Sequence, residues 1–315
     1  MKNAKELSVT ERNEKQVSAG PVRAAAGESL PDEKTETGRL LSMEEIHARL
    51  LTMARAVSEI LTRGGIPHMI TFGTLLGAVR HGGFIPWDDD IDLMMMRDDY
   101  EALLKLAATE FKAPFFLQSF HTERGYYRGH AQMRYDGTAA ILPADVHQPF
   151  HQGIFVDIFV YDNIPDDLDG TPWKRSLRTA RWALKCLLTA QYGRGAKGLL
   201  AKAICGTVGY GRLFRLFERQ FTKWDAKETR RIACPTFDWR QVARTARERA
   251  WYSETVMLPF EQMELPAPIG YDKVLTALYG TDYMTPRQDS SGHGEVILDA
   301  EHDYREVLKR MKNGE

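Results

Sequence analysis

The chain has 315 residues, a formal net charge of −1, and 43% hydrophobic and 27% charged residues. These values are typical of a globular protein with one large domain or two medium ones, and they exclude a general nucleic-acid-binding protein, which needs a strong positive charge. The sequence shows no secretory leader and no apolar stretch of the roughly 18 residues that span a bilayer, so we expect a cytoplasmic protein. The cysteines at positions 186, 205 and 234 form no CxxC pair, and we expect free thiols.

The first 39 residues hold seven Lys/Arg and seven Asp/Glu but no aromatic residue. Such a segment buries too little apolar surface to offset the entropy of ordering it, so we predict a disordered tail over residues 1–39. Order is predicted to begin at Ser42, because Ser42 and Glu45 form a capping box in front of apolar residues at helical spacing. Gly64 and Gly65 are expected to end this helix.

Short strands and helices are predicted to alternate in the next segment. A strand is predicted over residues 68–72, followed by a turn at 73–74 and a helix over 75–80. A second strand is predicted over 90–94, where polar and apolar residues alternate, and Asp98 is expected to cap a further helix. The remaining strands are predicted over 128–142 (two strands, turning near 136–137), 153–160 and 256–258, and a helix is predicted over 271–279.

Residues 174–223 contain twelve Lys/Arg and one acid, Glu218, which gives this segment a net charge of +11. Apolar residues at helical spacing between these charges predict basic amphipathic helices with breaks near Gly193 and at 206–211. Three roles are open for this surface: an ordinary solvated face, contact with an anionic membrane, or binding of an anionic acceptor.

The order of these elements predicts an α+β fold, with a small mixed β-sheet flanked by helices. We divide the chain into the tail (1–39), a core domain (40–165), a basic helical extension (166–250) and a C-terminal part that completes the core domain (251–315).

The strongest chemical signal is a group of four carboxylates in the five positions that begin at Asp88. Like charges this close repel each other, and hard divalent cations such as Mg²⁺ or Mn²⁺ neutralise them best. On a strand, Asp90 and Asp92 would share a face. Asp157 is a lone carboxylate in an apolar run, which is costly unless it is paired or bound to a metal, and it would complete the site from a neighbouring strand.

The residues around this acidic cluster indicate phosphate chemistry. Gly73 and Thr74 would supply backbone N–H groups to a phosphate at a helix start. A solvated acidic loop is the alternative, but Trp87 and Ile91 place the cluster against a core. An EF-hand is excluded, because Leu93 stands where that loop needs a glycine.

Three motifs in the sequence resemble those of the LicD family. They are FGTLLGAVRH with GFIPWDDDID at 72–81 and 83–92, GIFVDIF at 153–159, and YGTDYM at 279–284. The resemblance implies a nucleotidyltransferase-like fold and a phosphotransferase activity. Bacterial members attach phosphocholine from CDP-choline to surface glycans such as teichoic acid or lipopolysaccharide, and the similar fukutin-related proteins transfer ribitol phosphate from CDP-ribitol.

Matched by position, the resemblance implies that Asp90 and Asp92 are paired metal ligands and that Asp157 is the third carboxylate. Asp88 would be an additional ligand or a base. In many relatives the second motif continues with Phe-Pro and a Leu-Asp, whereas residues 160–162 here are Val-Tyr-Asp. This departure leaves the transferred alcohol open.

Four further residues are candidates with two interpretations each. Arg80 and Arg134 would hold phosphate bidentately or form surface ion pairs. His293 would contact substrate or transfer a proton, or it is an ordinary loop histidine. Trp87 would stack on a base or shield the metal, although core packing is favoured.

The sequence therefore predicts a metal-dependent transferase that moves phosphocholine from CDP-choline onto a sugar hydroxyl of a glycan or lipid-linked glycan and releases CMP. One alternative is a nucleotidyltransferase that adds a nucleoside monophosphate to an acceptor. Another is a non-catalytic module that recruits glycan machinery at the membrane surface.

Overall fold

A computed structural model describes residues 42–227, 229–235, 242, 245–287 and 296–313. The predicted tail and His293 lie outside these residues. The helices are α1 (Met43–Arg63), α2 (Phe72–His81), α3 (Arg97–Glu110), α4 (Thr171–Tyr192), α5 (Gly195–Val208), α6 (Tyr210–Thr222), α7 (Tyr271–Tyr279) and α8 (Tyr304–Asn313). The strands are β1 (Met69–Ile70), β2 (Asp92–Met96), β3 (Phe115–Gln118), β4 (Ala131–Tyr135), β5 (Ala139–Ile141), β6 (Phe155–Ile164), β7 (Arg231–Ala233), β8 (Arg247–Glu248), β9 (Thr255–Phe260), β10 (Met263–Pro268) and β11 (Ile297–Asp299).

A mixed sheet forms the centre of the fold, with the strand order β1-β2-β6-β4-β3. Strands β2 and β6 run parallel, while the other neighbours in this order are antiparallel. The carboxyl end of β6 also pairs with β7, which in turn pairs with β8. The predicted α+β class is confirmed, because the structure combines a mixed sheet with helices that mostly lie in separate segments of the sequence.

The two faces of the central sheet have different surroundings. Leu93, Met95 and Ile158 point into the main core, where the buried stripe of α1 packs against β4 and β6. Met94 and Phe159 lie on the opposite face, in a smaller apolar cluster. Because side chains alternate along a strand, Asp92 and Asp157 share this second face.

Helices α4, α5 and α6 pack around a second apolar core that contains Trp173, Phe214 and Phe217. The predicted breaks are confirmed, since α4 ends before Gly193 and α5 ends before Gly209. Glu218, the single acid of the basic segment, accepts hydrogen bonds on its Oε1 from Arg97 Nη1 at 3.4 Å and His121 Nε2 at 3.1 Å. None of the described helices combines the length and apolarity that a membrane crossing requires.

Several predicted elements are correct. Ser42 and Glu45 form the capping box of α1, with Ser42 N–H donating to the Glu45 carboxylate at 2.9 Å and Glu45 N–H donating to Ser42 Oγ at 3.2 Å. Helix α1 ends at Gly64, and α7 spans Tyr271–Tyr279.

Other predicted boundaries are wrong. Strand β2 begins at Asp92, so Asp90 precedes it instead of lying on it. Helix α2 begins at Phe72, directly after the extended residue Thr71, and the strand predicted over 68–72 shortens to Met69–Ile70. Helix α3 begins one residue before Asp98 and has no side-chain cap.

The strands predicted over 128–142 separate at the expected turn but do not pair with each other. Strand β4 pairs with β3 and β6, whereas β5 pairs with β11 near the end of the chain. This partner could not be found from a local pattern, because β11 lies more than a hundred residues away in the sequence.

Candidate active site

The carboxylates of Asp90, Asp92 and Asp157 converge at one point on the second face of the central sheet. One oxygen from each lies within 4.8 Å of the others, and the three residues are only 6–7% exposed. Asp92 stands directly opposite Asp157 in the parallel β2–β6 pair, and Asp157 N–H donates to the Ile91 carbonyl at 2.9 Å. Asp90, although it precedes the strand, is brought to the same point by the loop.

A second acidic group adjoins the first. Asp88, Asp89 and Asp90 also place one carboxylate oxygen each within 4.8 Å of one another. On a strand, the alternation of side chains would direct Asp89 away from Asp88 and Asp90. This segment is a loop instead, and the carboxylate of Asp89 lies close to theirs.

Burial raises the pKa of Asp92 well above its usual value, and the charges of Asp90, Asp157 and Asp88 raise it further. A hydrogen bond from Gly73 N–H to the Asp92 carboxylate acts in the opposite direction. Several buried carboxylates in this arrangement offer the hard oxygen ligands that Mg²⁺ and Mn²⁺ prefer. The donor set therefore fits a divalent cation.

The amino end of α2 holds Asp92 through two hydrogen bonds, one to its side chain and one from its backbone. Gly73 N–H donates to the Asp92 carboxylate, and Asp92 N–H donates to Thr74 Oγ1 at 2.8 Å. The helix starts sharply, with Phe72 at a φ of 44°, a left-handed conformation that costs free energy in a bulky residue. Phe72 is held there by an edge-on contact with Phe159, whose ring centroid is 5.0 Å away.

Gly73 leaves little room next to Asp88. A Cβ atom at position 73 would lie 2.5 Å from Asp88 Oδ2, so Gly73→Ala is expected to displace this carboxylate. We expect the variant to lose on the order of tenfold or more in turnover, as misplaced catalytic groups do, with a near-normal melting temperature. Steady-state kinetics and thermal unfolding measure the two effects.

Gly206→Ala is the matched control for this substitution. Gly206 lies in α5 with open space around its Cβ position. Equal turnover of Gly73→Ala and Gly206→Ala would contradict the assignment of Asp88 to the site.

Strand β4 holds Asp157 in place through residues that the sequence analysis missed. Gln132 stands opposite Asp157 and donates from Nε2 to Asp157 Oδ1 at 2.7 Å. His130 Nε2 lies 3.4 Å from the same oxygen. Residues 130, 132 and 134 point to the same face because side chains alternate along the chain. Their proximity to Asp157 follows from the pairing of β4 with β6, which the sequence does not show.

Arg134 is buried beneath this network. Its Nη2 donates to Gln132 Oε1 at 2.6 Å, its Nε donates to Gln118 Oε1 at 2.7 Å, and its Nη1 donates to the Gly153 carbonyl at 2.7 Å. The guanidinium thus contacts three oxygens of the protein itself. This placement favours a role in positioning Gln132 over direct contact with a phosphate.

Tyr279, the first residue of the C-terminal motif, lies at the end of α7. Burial and the charges of Asp92, Asp88 and Asp90 raise the pKa of the Tyr279 hydroxyl, so this hydroxyl is within electrostatic range of the acidic cluster. Arg80 stands beside Tyr279 and donates from Nη1 to the Tyr283 carbonyl at 3.1 Å.

Trp87 is half-buried and packs against the main core. The favoured interpretation, core packing, is therefore correct for Trp87, which directly precedes the acidic residues in the sequence.

The sequence of the chain is similar to those of several known proteins. Residues 65–180 match the family model described as LicD/FKTN/FKRP, nucleotidyltransferase domain. The lipopolysaccharide cholinephosphotransferase LicD of Haemophilus influenzae is 25% identical over 261 residues, which cover 80% of this chain and 96% of that protein. The human ribitol 5-phosphate transferase FKRP is 46% identical over 46 residues, which cover 15% of this chain and 9% of that protein.

An uncharacterised protein of Rickettsia prowazekii is 36% identical over 98 residues, which cover 31% of this chain and 35% of that protein. The family match includes Asp90, Asp92 and Asp157, the three carboxylates that converge on the sheet. Residues 65–180 therefore contain a domain similar to the LicD/FKTN/FKRP family, and the chain is similar to LicD over most of its length.

Proposed function

We propose that this protein is a metal-dependent phosphotransferase of the LicD family that moves phosphocholine from CDP-choline onto a sugar hydroxyl of a cell-surface glycan and releases CMP. The observation that supports this proposal most strongly is the convergence of three buried carboxylates from two family motifs within 4.8 Å. The similar proteins of known activity are a cholinephosphotransferase and a ribitol phosphate transferase, and both transfer a phosphoalcohol.

Asp90, Asp92 and Asp157 would hold Mg²⁺ or Mn²⁺, with Asp88 as an additional ligand. When bound, such a cation neutralises the negative charge of the phosphates and of the developing transition state. The fold that presents these ligands is, in this proposal, of the nucleotidyltransferase type.

The residues of the chain have distinct roles in the proposed reaction. The sugar hydroxyl attacks the phosphorus that bears the alcohol, a new O–P bond forms, and the anhydride bond to CMP breaks. Asp157 orients the hydroxyl and accepts its proton. Gln132 fixes Asp157 at 2.7 Å, and Arg134 fixes Gln132, so the acceptor geometry is set before substrate binds.

The donor would lie along the amino end of α2. We assign its phosphates to the helix start around Gly73 and Thr74 and to Arg80 at the other end of α2. Arg80 donates from Nη1 to the Tyr283 carbonyl and from Nε to His81 Nδ1. Trp87, on the adjoining loop, and His293, outside the described residues, are assigned to substrate contacts.

We further propose that the protein works in the cytoplasm, as a peripheral protein at the inner face of the membrane, where a lipid-linked glycan would be presented to the site. Nucleic acid is not expected among its partners, because the chain as a whole is nearly neutral.

A donor screen tests the proposed function. CDP-choline, CDP-ribitol, CDP-glycerol and CDP-ethanolamine are incubated with the purified protein and Mg²⁺, with and without a lipopolysaccharide acceptor, and CMP is quantified. We expect CMP from CDP-choline, more of it with acceptor, and none after EDTA treatment.

Asp98→Asn is the control for replacing an aspartate of the acidic cluster, because Asp98 is an exposed aspartate of α3 outside that cluster. This variant should release CMP at the rate of the unmodified protein. Release of CMP that is insensitive to EDTA, or none from any donor, would contradict the proposal.

Transfer of a nucleoside monophosphate is the second candidate function. The matching family model carries the name of a nucleotidyltransferase domain, and both reactions cleave a phosphoanhydride at a carboxylate-rich site. The two are separated by the product that retains the cytidine: free CMP in the first case, a cytidylylated acceptor in the second.

A further inference from the structure

The outer surface of α4 and α5 exposes large apolar side chains. Among the described residues, seven large apolar side chains are exposed, and four of these lie on the two helices: Trp182 (48%), Leu199 (68%), Leu200 (63%) and Val208 (39%). We call this surface, together with its basic residues, the α4–α5 face. Soluble proteins scatter single exposed apolar residues, but a concentration on one surface marks an interaction site.

Helix α5 packs against α4 and α6 but leaves most of its residues exposed. It buries only a narrow stripe of small residues, Gly198, Ala201 and Cys205. The consecutive residues Leu199 and Leu200 lie outside this stripe. A surface helix of a globular protein normally presents polar residues to water, whereas the outer side of α5 combines leucines with small residues and lysines.

All the charged residues within the sequence of these two helices are basic. Residues 171–217 contain ten Lys/Arg and no Asp or Glu. Lys197 and Lys202 flank the two leucines on α5 and are exposed, and Lys185 is exposed on α4 near Trp182 in sequence. Exposed leucines flanked by lysines fit a surface that rests on an anionic bilayer, with the leucines among the lipids and the basic groups at the phosphates.

We propose that the α4–α5 face docks on an anionic lipid surface through Leu199, Leu200 and the flanking lysines. Protein–protein interfaces are depleted of lysine, which argues against a second copy of the chain as the occupant. Tryptophan, here Trp182, is enriched at membrane–water boundaries. The charge of the face is complementary to anionic lipid headgroups.

This docking would fix the orientation of the active site at the membrane. Helix α6 is connected to the sheet through Arg97 of α3, which donates from Nη1 to Glu218 Oε1 at 3.4 Å and from Nε to Asp162 Oδ1 of β6 at 2.7 Å. Helix α6 also packs against β6, the strand that carries Asp157. The inference extends the proposed function, since a lipid-linked acceptor would be held in the same plane as the docked face.

Vesicle flotation with the full chain tests this docking. Vesicles of phosphatidylcholine alone are compared with vesicles of equal parts phosphatidylcholine and phosphatidylglycerol. We expect binding to the anionic vesicles only, and a reduction on the order of tenfold both in the Leu199→Ser/Leu200→Ser variant and in the Lys197→Gln/Lys202→Gln variant. Met257→Ser is the matched control, because Met257 is 52% exposed on β9, outside the α4–α5 face.

Equal binding by the unmodified protein and the leucine variant, or no binding to anionic vesicles, would overturn the proposal. Self-association in analytical ultracentrifugation that disappears in the leucine variant, without vesicle binding, would assign the face to a second copy instead. CMP release from soluble CDP-choline is measured in parallel and should be equal in all variants. An absence of CMP release from the unmodified protein would contradict the proposed function, whereas vesicle binding would still test the docking face.

Discussion

Asp92→Asn is expected to abolish transfer while the protein remains folded. The substitution keeps the shape of the side chain but removes one of the converging charges that would hold the metal. Charge stabilisation by a bound cation contributes several kcal/mol to a transition state, and each 1.36 kcal/mol corresponds to tenfold in rate. We therefore expect a loss of roughly 10³-fold or more in CMP release, and the same for Asp90→Asn. Turnover at the level of the unmodified protein in either variant would contradict the assignment.

The same substitution is expected to raise the melting temperature of the metal-free protein at neutral pH. In the folded chain the pKa of Asp92 is raised by burial and by Asp90, Asp157 and Asp88, whereas an unfolded aspartate has a pKa of about 3.9. Ionised Asp92 thus opposes folding, and this cost begins as the pH rises above the unfolded pKa. The difference between variant and unmodified protein should vanish at acidic pH.

Mn²⁺ should reverse this order. A ligand that binds only the folded state stabilises it, so Mn²⁺ is expected to raise the melting temperature of the unmodified protein but not that of Asp92→Asn. Differential scanning fluorimetry with EDTA and with Mn²⁺ measures both effects.

Asp162→Ala is expected to have the largest effect on stability. Arg97 donates from Nε to Asp162 Oδ1 at 2.7 Å and from Nη2 to Asp162 Oδ2 at 3.0 Å, and their side chains are 7% and 0% exposed. Removal of one partner of a buried ion pair leaves an uncompensated charge and costs about 3–5 kcal/mol. Urea unfolding should show this loss as a lower midpoint with little change in slope.

The double variant Arg97→Met/Asp162→Leu distinguishes the cost of an unpaired buried charge from the contribution of the ion pair itself. It removes both charges and fills the space with apolar groups, so it should recover most of the stability that Asp162→Ala loses. Glu218, which also contacts Arg97, has His121 as a further partner at 3.1 Å, and the double variant leaves that residue unchanged. A loss below about 1 kcal/mol in Asp162→Ala would show that the pair is hydrated rather than buried.

The parts of the fold that local patterns determine could be predicted from the sequence. The capping box of α1 and the bounds of α7 depend on residues within a few positions of each other, and both agree with the structure. The proximity of Asp92 and Asp157 follows from two strands that each carry a carboxylate in an apolar run. Asp90 reaches the same point from a loop, although a strand was predicted there.

The parts that depend on distant partners could not be predicted. Gln132 and His130 belong to the site only because β4 lies next to β6, and no local signal gives the order of strands. Strand β10 was missed because it contains Pro266 and Pro268, which argue against a strand; it tolerates them in a two-stranded sheet with β9. Helix α2 starts at Phe72 in a strained conformation, and Phe72 packs there against residues that are distant in sequence, such as Phe159.

The most direct test of the account follows two labels through one reaction. CDP-choline labelled separately in the cytidine and in the choline is incubated with the protein, Mg²⁺ and lipopolysaccharide. The proposed reaction at Asp90, Asp92 and Asp157 predicts that the choline label enters the glycan while the cytidine label appears as free CMP. Recovery of the cytidine label on the glycan would contradict it.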